Sequence, residues 1–155
     1  MGFNIDEIFK KYGEKYGIPW ALLKAQGVIE SGLKPDSISS KGAIGIMQIM
    51  PATYDEIKKK LNHLKDIYDP ESNIEAGAFY LSSLIRQTEK LNPHPKEIIP
   101  LALASYNWGI GNIKRLIKKL KTTSWMKLLD HLPEETKNYV KKVLFLYLKY
   151  SGKLL

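Results

Sequence analysis

No cysteine occurs in the 155 residues. Its absence removes a disulfide framework, a thiolate nucleophile and any cysteine-ligated metal centre. Histidine is scarce: His63, His94 and His131 lie far apart in polar or Pro-rich surroundings, none at metal-ligand spacing, so neither a metal nor a cofactor is expected. No apolar run is long enough to span a membrane, and the N-terminus is amphipathic, unlike the apolar core of an export signal. Acidic residues are in deficit, 16 Asp and Glu against 24 Lys and Arg, for a net charge of +8. That excess suits an anionic partner: nucleic acid, an acidic membrane surface or an anionic polymer. The cations are dispersed along helix faces (Lys58 to Lys60, Lys114 to Lys121, Lys137 to Lys142), a distribution that a plain solvated face also shows.

What is present is enough for one self-supporting domain, residues 1–155. Hydrophobic residues make up 44% and charged residues 26%, a globular composition. Helical signals recur throughout. Asn4 with Glu7 has the form of a capping box, and Ile5, Ile8, Phe9, Tyr12 and Tyr16 follow at helical spacing. After Gly17, Pro19 suits a first turn, and Trp20 to Ile29 are nearly all apolar, which predicts a buried helix. Ser31-Gly32 ends it, and residues 32 to 50 read as a long loop.

A third helix is expected from Pro51, with Thr53 and Glu56 as a second capping box, and a fourth from Asp69-Pro70. After the break at Asn92-Pro-His-Pro95 come helices from about Ile98 to Tyr106 and Asn112 to Leu120. A short one follows near Ser124 and a last one after Pro133. No strand pattern, repeat or linker stands out. The fold class is all-α.

Three polar insertions interrupt segments that otherwise read as core. Glu30 ends the apolar stretch Ala21 to Gly32, Gln48 sits within Gly42-Ala-Ile-Gly-Ile-Met-Gln-Ile-Met-Pro51, and Tyr106 and Asn107 lie within Ala104-Ser-Tyr-Asn-Trp-Gly109. Polar groups so placed suggest a cleft. Near the C-terminus of its helix and among apolar neighbours, Glu30 is disfavoured as a carboxylate by both the helix dipole and desolvation. A carboxyl group held protonated near neutral pH can donate a proton to a departing oxygen. The plainer alternative makes Glu30 a surface residue paired with Lys24 or Lys34. Likewise Tyr106 and Tyr139 fit core spacing, and Asn107 could serve as a cap.

Together these segments resemble the soluble, lysozyme-like lytic transglycosylase family, related to goose-type lysozyme. The match runs through Glu30-Ser31, Gly45-Ile-Met-Gln48 with Pro51, Ser105-Tyr106-Asn107 with Gly109, and Tyr139 after Glu135-Thr136. Asn73-Ile74, Gly77 and Tyr80-Leu81 resemble the family's middle helix, and the likeness covers roughly residues 15 to 148. Departures are Ile46 for Leu, Ser105 for Ala and Trp108 for a small residue. Ser105 adds a hydroxyl that needs a partner if buried.

The resemblance implies a lysozyme-like helical domain with a substrate cleft, acting on the peptidoglycan of the bacterial cell wall in the periplasm or outside the cell. Export would then use a signal absent from this chain, or release by lysis. It implies that Glu30 is the acid and then the base in a non-hydrolytic cleavage leaving 1,6-anhydro-N-acetylmuramic acid. Ser31 would orient Glu30 or the acetamido group, Met47 would line the cleft, Gln48, Tyr106 and Asn107 would bond the sugars, and Tyr139 would contact Glu30 or substrate. No cofactor, nucleic acid, stable membrane insertion or second protomer is implied.

Two rivals remain. A hydrolytic goose-type lysozyme would carry an Asp shortly after its Met-Gln pair, where this chain has Ile49-Met50-Pro51. A non-catalytic basic module would grip nucleic acid or the wall; no aromatic–basic interleaving or DNA-reading motif favours the former, and the retained acid argues against the latter.

Overall fold

Local signals account for most of the helix boundaries. The computed structural model describes residues 4–152, within which lie eight α-helices and no extended strand. They are α1 Ile5–Tyr16, α2 Trp20–Ser31, α3 Pro51–Lys60, α4 Pro70–Glu89, α5 Ile98–Trp108, α6 Ile110–Leu120, α7 Trp125–Leu129 and α8 Glu134–Tyr150, with a short 3₁₀ turn Pro95–Glu97 before α5. Asn4 caps α1, its Oδ1 accepting the Asp6 amide at 3.1 Å, and Gly17 closes the helix at φ 71°. Asp69 takes the same role for α4, accepting the Ser72 amide at 3.0 Å. The capping box expected at Thr53 does not form: α3 starts at Pro51, Thr53 lies inside its first turn, and Met50 precedes it without a side-chain cap. α5 runs two residues past Tyr106 and α6 begins two before Asn112, with Gly109 between them at φ 104°. None of these helices is long and apolar enough to cross a membrane.

The chain divides into two compact units, Met1–Tyr80 with Leu146–Leu155, and Leu81–Phe145. In the first, α2 is packed in on nearly all sides: Leu22, Leu23, Ala25 and Gln26 have no exposed surface. Gly27 lets α2 approach closely, since a Cβ there would stand 3.1 Å from Phe9 and Leu33 and 3.2 Å from Ile46. In the second, Leu101 to Ala104 of α5 are fully buried, as are Leu84, Leu128 and Val143.

A charged cluster that the sequence does not advertise ties α1 to α4. Glu75 is 2% exposed. Its carboxylate receives Lys15 Nζ and His63 Nε2, each at 2.8 Å, and the Tyr16 hydroxyl. Burial pushes the Glu75 pKa up, but the hydrogen bonds from Lys15, Tyr16 and His63 and the charge of Lys15 outweigh it, and the net shift is down. Burial and the Glu75 hydrogen bond push the Tyr16 phenol up.

A carboxylate with a depressed folded pKa contributes stability above its unfolded pKa and loses that contribution as pH falls through the folded value. Glu75→Gln should therefore cost about 2 kcal/mol at pH 7. The gap to wild type should narrow as pH is lowered below the ordinary Glu value of 4.5. Urea unfolding from pH 7 to pH 3 measures both; an equal gap at both ends would remove the charge from the account.

Candidate active site

The site residues of the first unit meet at the end of α2. Glu30 lies half-buried in its last turn, and Gly32 follows at φ 65°, its amide bonded to the Val28 carbonyl at 2.9 Å. Of the plainer partners, Lys24 is engaged elsewhere: its ammonium pairs with Asp6 at 3.0 Å and lies 4.9 Å over the Tyr150 ring. Ser31, next to Glu30, donates its hydroxyl to the Ile46 carbonyl at 2.8 Å, with the Gly27 carbonyl a second acceptor at 3.2 Å, and accepts the Lys34 amide at 3.2 Å. That hydroxyl fastens the helix end to the loop bearing Met47 and Gln48.

The loop is a tight reversal. Ile44 and Ile49 exchange both backbone hydrogen bonds at 3.0 Å, and Gly45 N–H reaches the Ser37 carbonyl at 2.8 Å. Left-handed backbone at Gly45 (φ 84°) and at Gln48 (φ 49°) turns the chain inside this short span. The Gln48 amide nitrogen spans the loop, donating to Ser37 O at 3.1 Å and Gly45 O at 3.0 Å. Met47 is fully buried, its side chain pressed against Gly77, where a Cβ would come within 2.6 Å of Met47 Cγ. The Met47 side chain thus backs the loop from inside.

What holds the loop is Asn73 on α4, 1% exposed. Its Oδ1 accepts the Met47 amide at 2.7 Å, and its Nδ2 donates to the Ile44 and Ile67 carbonyls at 3.1 and 2.9 Å. All three hydrogen bonds satisfy loop backbone that would otherwise be stranded. The sequence reading met Asn73 only as part of a resemblance. The available signal was an amide one turn into a helix, directly before Ile74, since a buried amide requires partners.

In the second unit, α5 delivers Tyr106 and Asn107, both half-buried, at its C-terminal end. Asn107 Oδ1 accepts the hydroxyl of Thr136 at 2.8 Å, which joins α5 to the first turn of α8. Thr136 is 1% exposed, and Tyr139, also buried, stands three residues beyond it on the same face. The buried Ser105 hydroxyl finds its partner locally, donating to the Leu101 carbonyl at 2.8 Å. The Gly109 corner is closed by Asn112, whose Nδ2 donates to the Trp108 carbonyl at 2.6 Å.

A half-buried carboxyl group beside a braced loop, in a chain whose described residues form helices and no extended strand, is the geometry on which a family can be asked for. The family is then settled by comparison. The model of the transglycosylase SLT domain matches residues 7–129, and the chain belongs to that family. A membrane-bound lytic murein transglycosylase F from Actinobacillus succinogenes is 36% identical over 132 residues, 81% of this chain and 26% of that protein. One from Histophilus somni is 32% identical over 149 residues, 93% of this chain and 28% of its own length. Among solved structures, an inactive mutant of the lytic transglycosylase Slt from Pseudomonas aeruginosa superposes with a TM-score of 0.81 at 27% identity, over 96% of this chain and 24% of that one. A complex of the 70-kDa soluble lytic transglycosylase with bulgecin A also gives 0.81, at 28% identity, over 94% of this chain and 24% of that one. The chain thus spans about a quarter of the length of the curated relatives it matches.

Gly42 and Gly45 separate backbone freedom from space. Both have positive φ, 93° and 84°, but a Cβ at Gly42 meets nothing within 4 Å, whereas one at Gly45 would lie 2.3 Å from Asn73 Nδ2. Gly42→Ala should cost about 1 kcal/mol, the left-handed penalty alone. Gly45→Ala should cost at least about 3 kcal/mol, because it also displaces Asn73 from its carbonyls. Chemical denaturation of the two variants checks the order, and equal costs would show that the loop does not depend on Asn73.

Proposed function

We propose that this chain cleaves the bond from N-acetylmuramic acid to N-acetylglucosamine in peptidoglycan without water, as a lytic transglycosylase. The observation that carries the reading is the half-buried Glu30 in the last turn of α2, joined through Ser31 to a loop braced by Asn73. Partial burial and the negative end of the α2 dipole both favour the neutral acid.

Glu30 first gives its proton to the glycosidic oxygen as the bond to C1 breaks. The carboxylate then takes the proton of the C6 hydroxyl on the same sugar, whose oxygen attacks C1 and closes the 1,6-anhydro ring. The proton lent in the first step is recovered in the second, and water is neither consumed nor released. The substrate's own acetamido oxygen stabilises C1 in between, the substrate-assisted exception to the two-carboxylate rule.

Ser31 and Gln48 act as positioning residues in this scheme, since their polar hydrogens are already committed to loop carbonyls. Tyr106, Asn107 and Tyr139 supply sugar contacts, with Thr136 orienting the Asn107 amide. The sequence after Gln48, which carries no carboxylate where a goose-type hydrolase has its Asp, supports the non-hydrolytic course. Ile49, Met50 and Pro51 follow Gln48, and Asp36, the sole other acid between Glu30 and Asp55, is exposed. The work is done at the cell wall.

Digestion of purified peptidoglycan followed by mass spectrometry tests this. Wild type should release fragments ending in 1,6-anhydro-N-acetylmuramic acid, one water lighter than a reducing end. Glu30→Gln should fold normally yet turn over at least about a thousandfold more slowly, the loss of its acid–base step. Reducing ends in the products would mean a hydrolase instead, and no release by folded wild type would mean a binding module.

A further inference from the structure

The positive charge is not dispersed as the sequence suggested. Leu81–Phe145 holds twelve Lys and Arg against five Asp and Glu, net +7, and leaves +1 for the rest of the chain's +8. Five of those cations, Lys114, Arg115, Lys118, Lys119 and Lys121, lie on α6 and its C-cap, and the segment contains no acid. All five are exposed and none forms an ion pair among the described residues. At about 100° per residue they share one arc of roughly 160°. The opposite arc, with Ile113 and Leu116, is buried.

Such an arrangement is costly to the helix. Lys114 with Lys118 and Arg115 with Lys119 are like-charge pairs at i,i+4, each of which destabilises it. Only the three cations nearest the C-terminus are favoured by the dipole. A solvated face needs no such uniformity of sign. We infer that the exposed face of α6 is a docking surface for the carboxylate-bearing peptide stems of the wall polymer.

A lipid surface fits less well, because the apolar arc of α6 is already consumed by packing and leaves nothing to enter the acyl region. Single-stranded nucleic acid fits less well, because the face carries no aromatic ring on which a base could stack. The identity of the polymer rests on the proposed activity; the charge pattern does not.

The test is co-sedimentation with purified, insoluble peptidoglycan across a salt series, alongside turnover of soluble, peptide-free glycan fragments. The fourfold variant Lys114→Gln, Arg115→Gln, Lys118→Gln, Lys119→Gln keeps good helix formers and leaves the site residues untouched. A matched control, Lys58→Gln, Lys59→Gln, Lys60→Gln, Lys65→Gln, removes the same charge from exposed positions in the other unit.

The α6 variant should bind the wall at least about tenfold more weakly near 0.1 M salt, and wild type should approach it as salt rises. Its turnover of soluble fragments should match wild type, and the control should bind as wild type does. Equal loss in the control, or undiminished binding by the α6 variant, overturns the inference. So would loss of binding to phosphatidylglycerol vesicles with wall binding intact, which would name a membrane. Binding that depends on α6 without any glycan release would overturn the proposed activity and leave the docking surface standing; release by an α6 variant that still binds fully would do the reverse.

Discussion

The site depends on one buried amide. Asn73 is a buried amide with two polar ends, and its side chain is satisfied because the loop presents the Met47 amide and the Ile44 carbonyl while the segment before α4 presents the Ile67 carbonyl. The loop in turn keeps its left-handed turn at Gly45 because any side chain there would occupy the space of the Asn73 amide. Each requirement enforces the other. With Ser31 anchored on Ile46, the same brace helps to fix the end of α2, and with it the place of Glu30.

Polar groups divide into two kinds here. Asn73, Thr136 and Ser105 are buried with their hydrogen-bonding capacity turned inward, and they shape backbone. Glu75 is of the same kind although charged: three partners surround it, and its depressed pKa marks a carboxylate stabilised as an anion. Glu30 differs in being half-exposed at a helix end, where the dipole opposes the anion. Two carboxylates in one unit thus differ in burial, one enclosed by partners and the other half-exposed at a helix end. The cations of α6 are of neither kind, since they are exposed and form no ion pair among the described residues, and they add to the charge concentrated in one of the two units.

Much of this was legible in the chain. The helix starts at Asn4, Asp69 and Pro51 and the stops at Gly17 and Gly32 follow from capping chemistry, which acts over a few residues. Glu30, Gln48 and Asn107 were visible as polar residues inside apolar segments. Partners distant in sequence were not legible. Met47 packs inside against Gly77, thirty residues on. The carbonyls on which Gln48 and Ser31 spend their donors, Ser37, Gly45 and Ile46, could not be read from the motif either. Thr53 had the spacing of a cap, and Pro51 had already begun the helix.

By itself the sequence determined the all-α class, the order of the helices, the acid at the end of α2 and membership of its family, because caps, periodicity and short motifs are local. The tertiary structure alone decided that Asn73 braces the loop, that Glu75 is a buried anion and that the surplus charge gathers in one unit with a bare face on α6. Those are facts about which groups lose their water and which keep it, and desolvation is set by residues that the chain brings together from far apart.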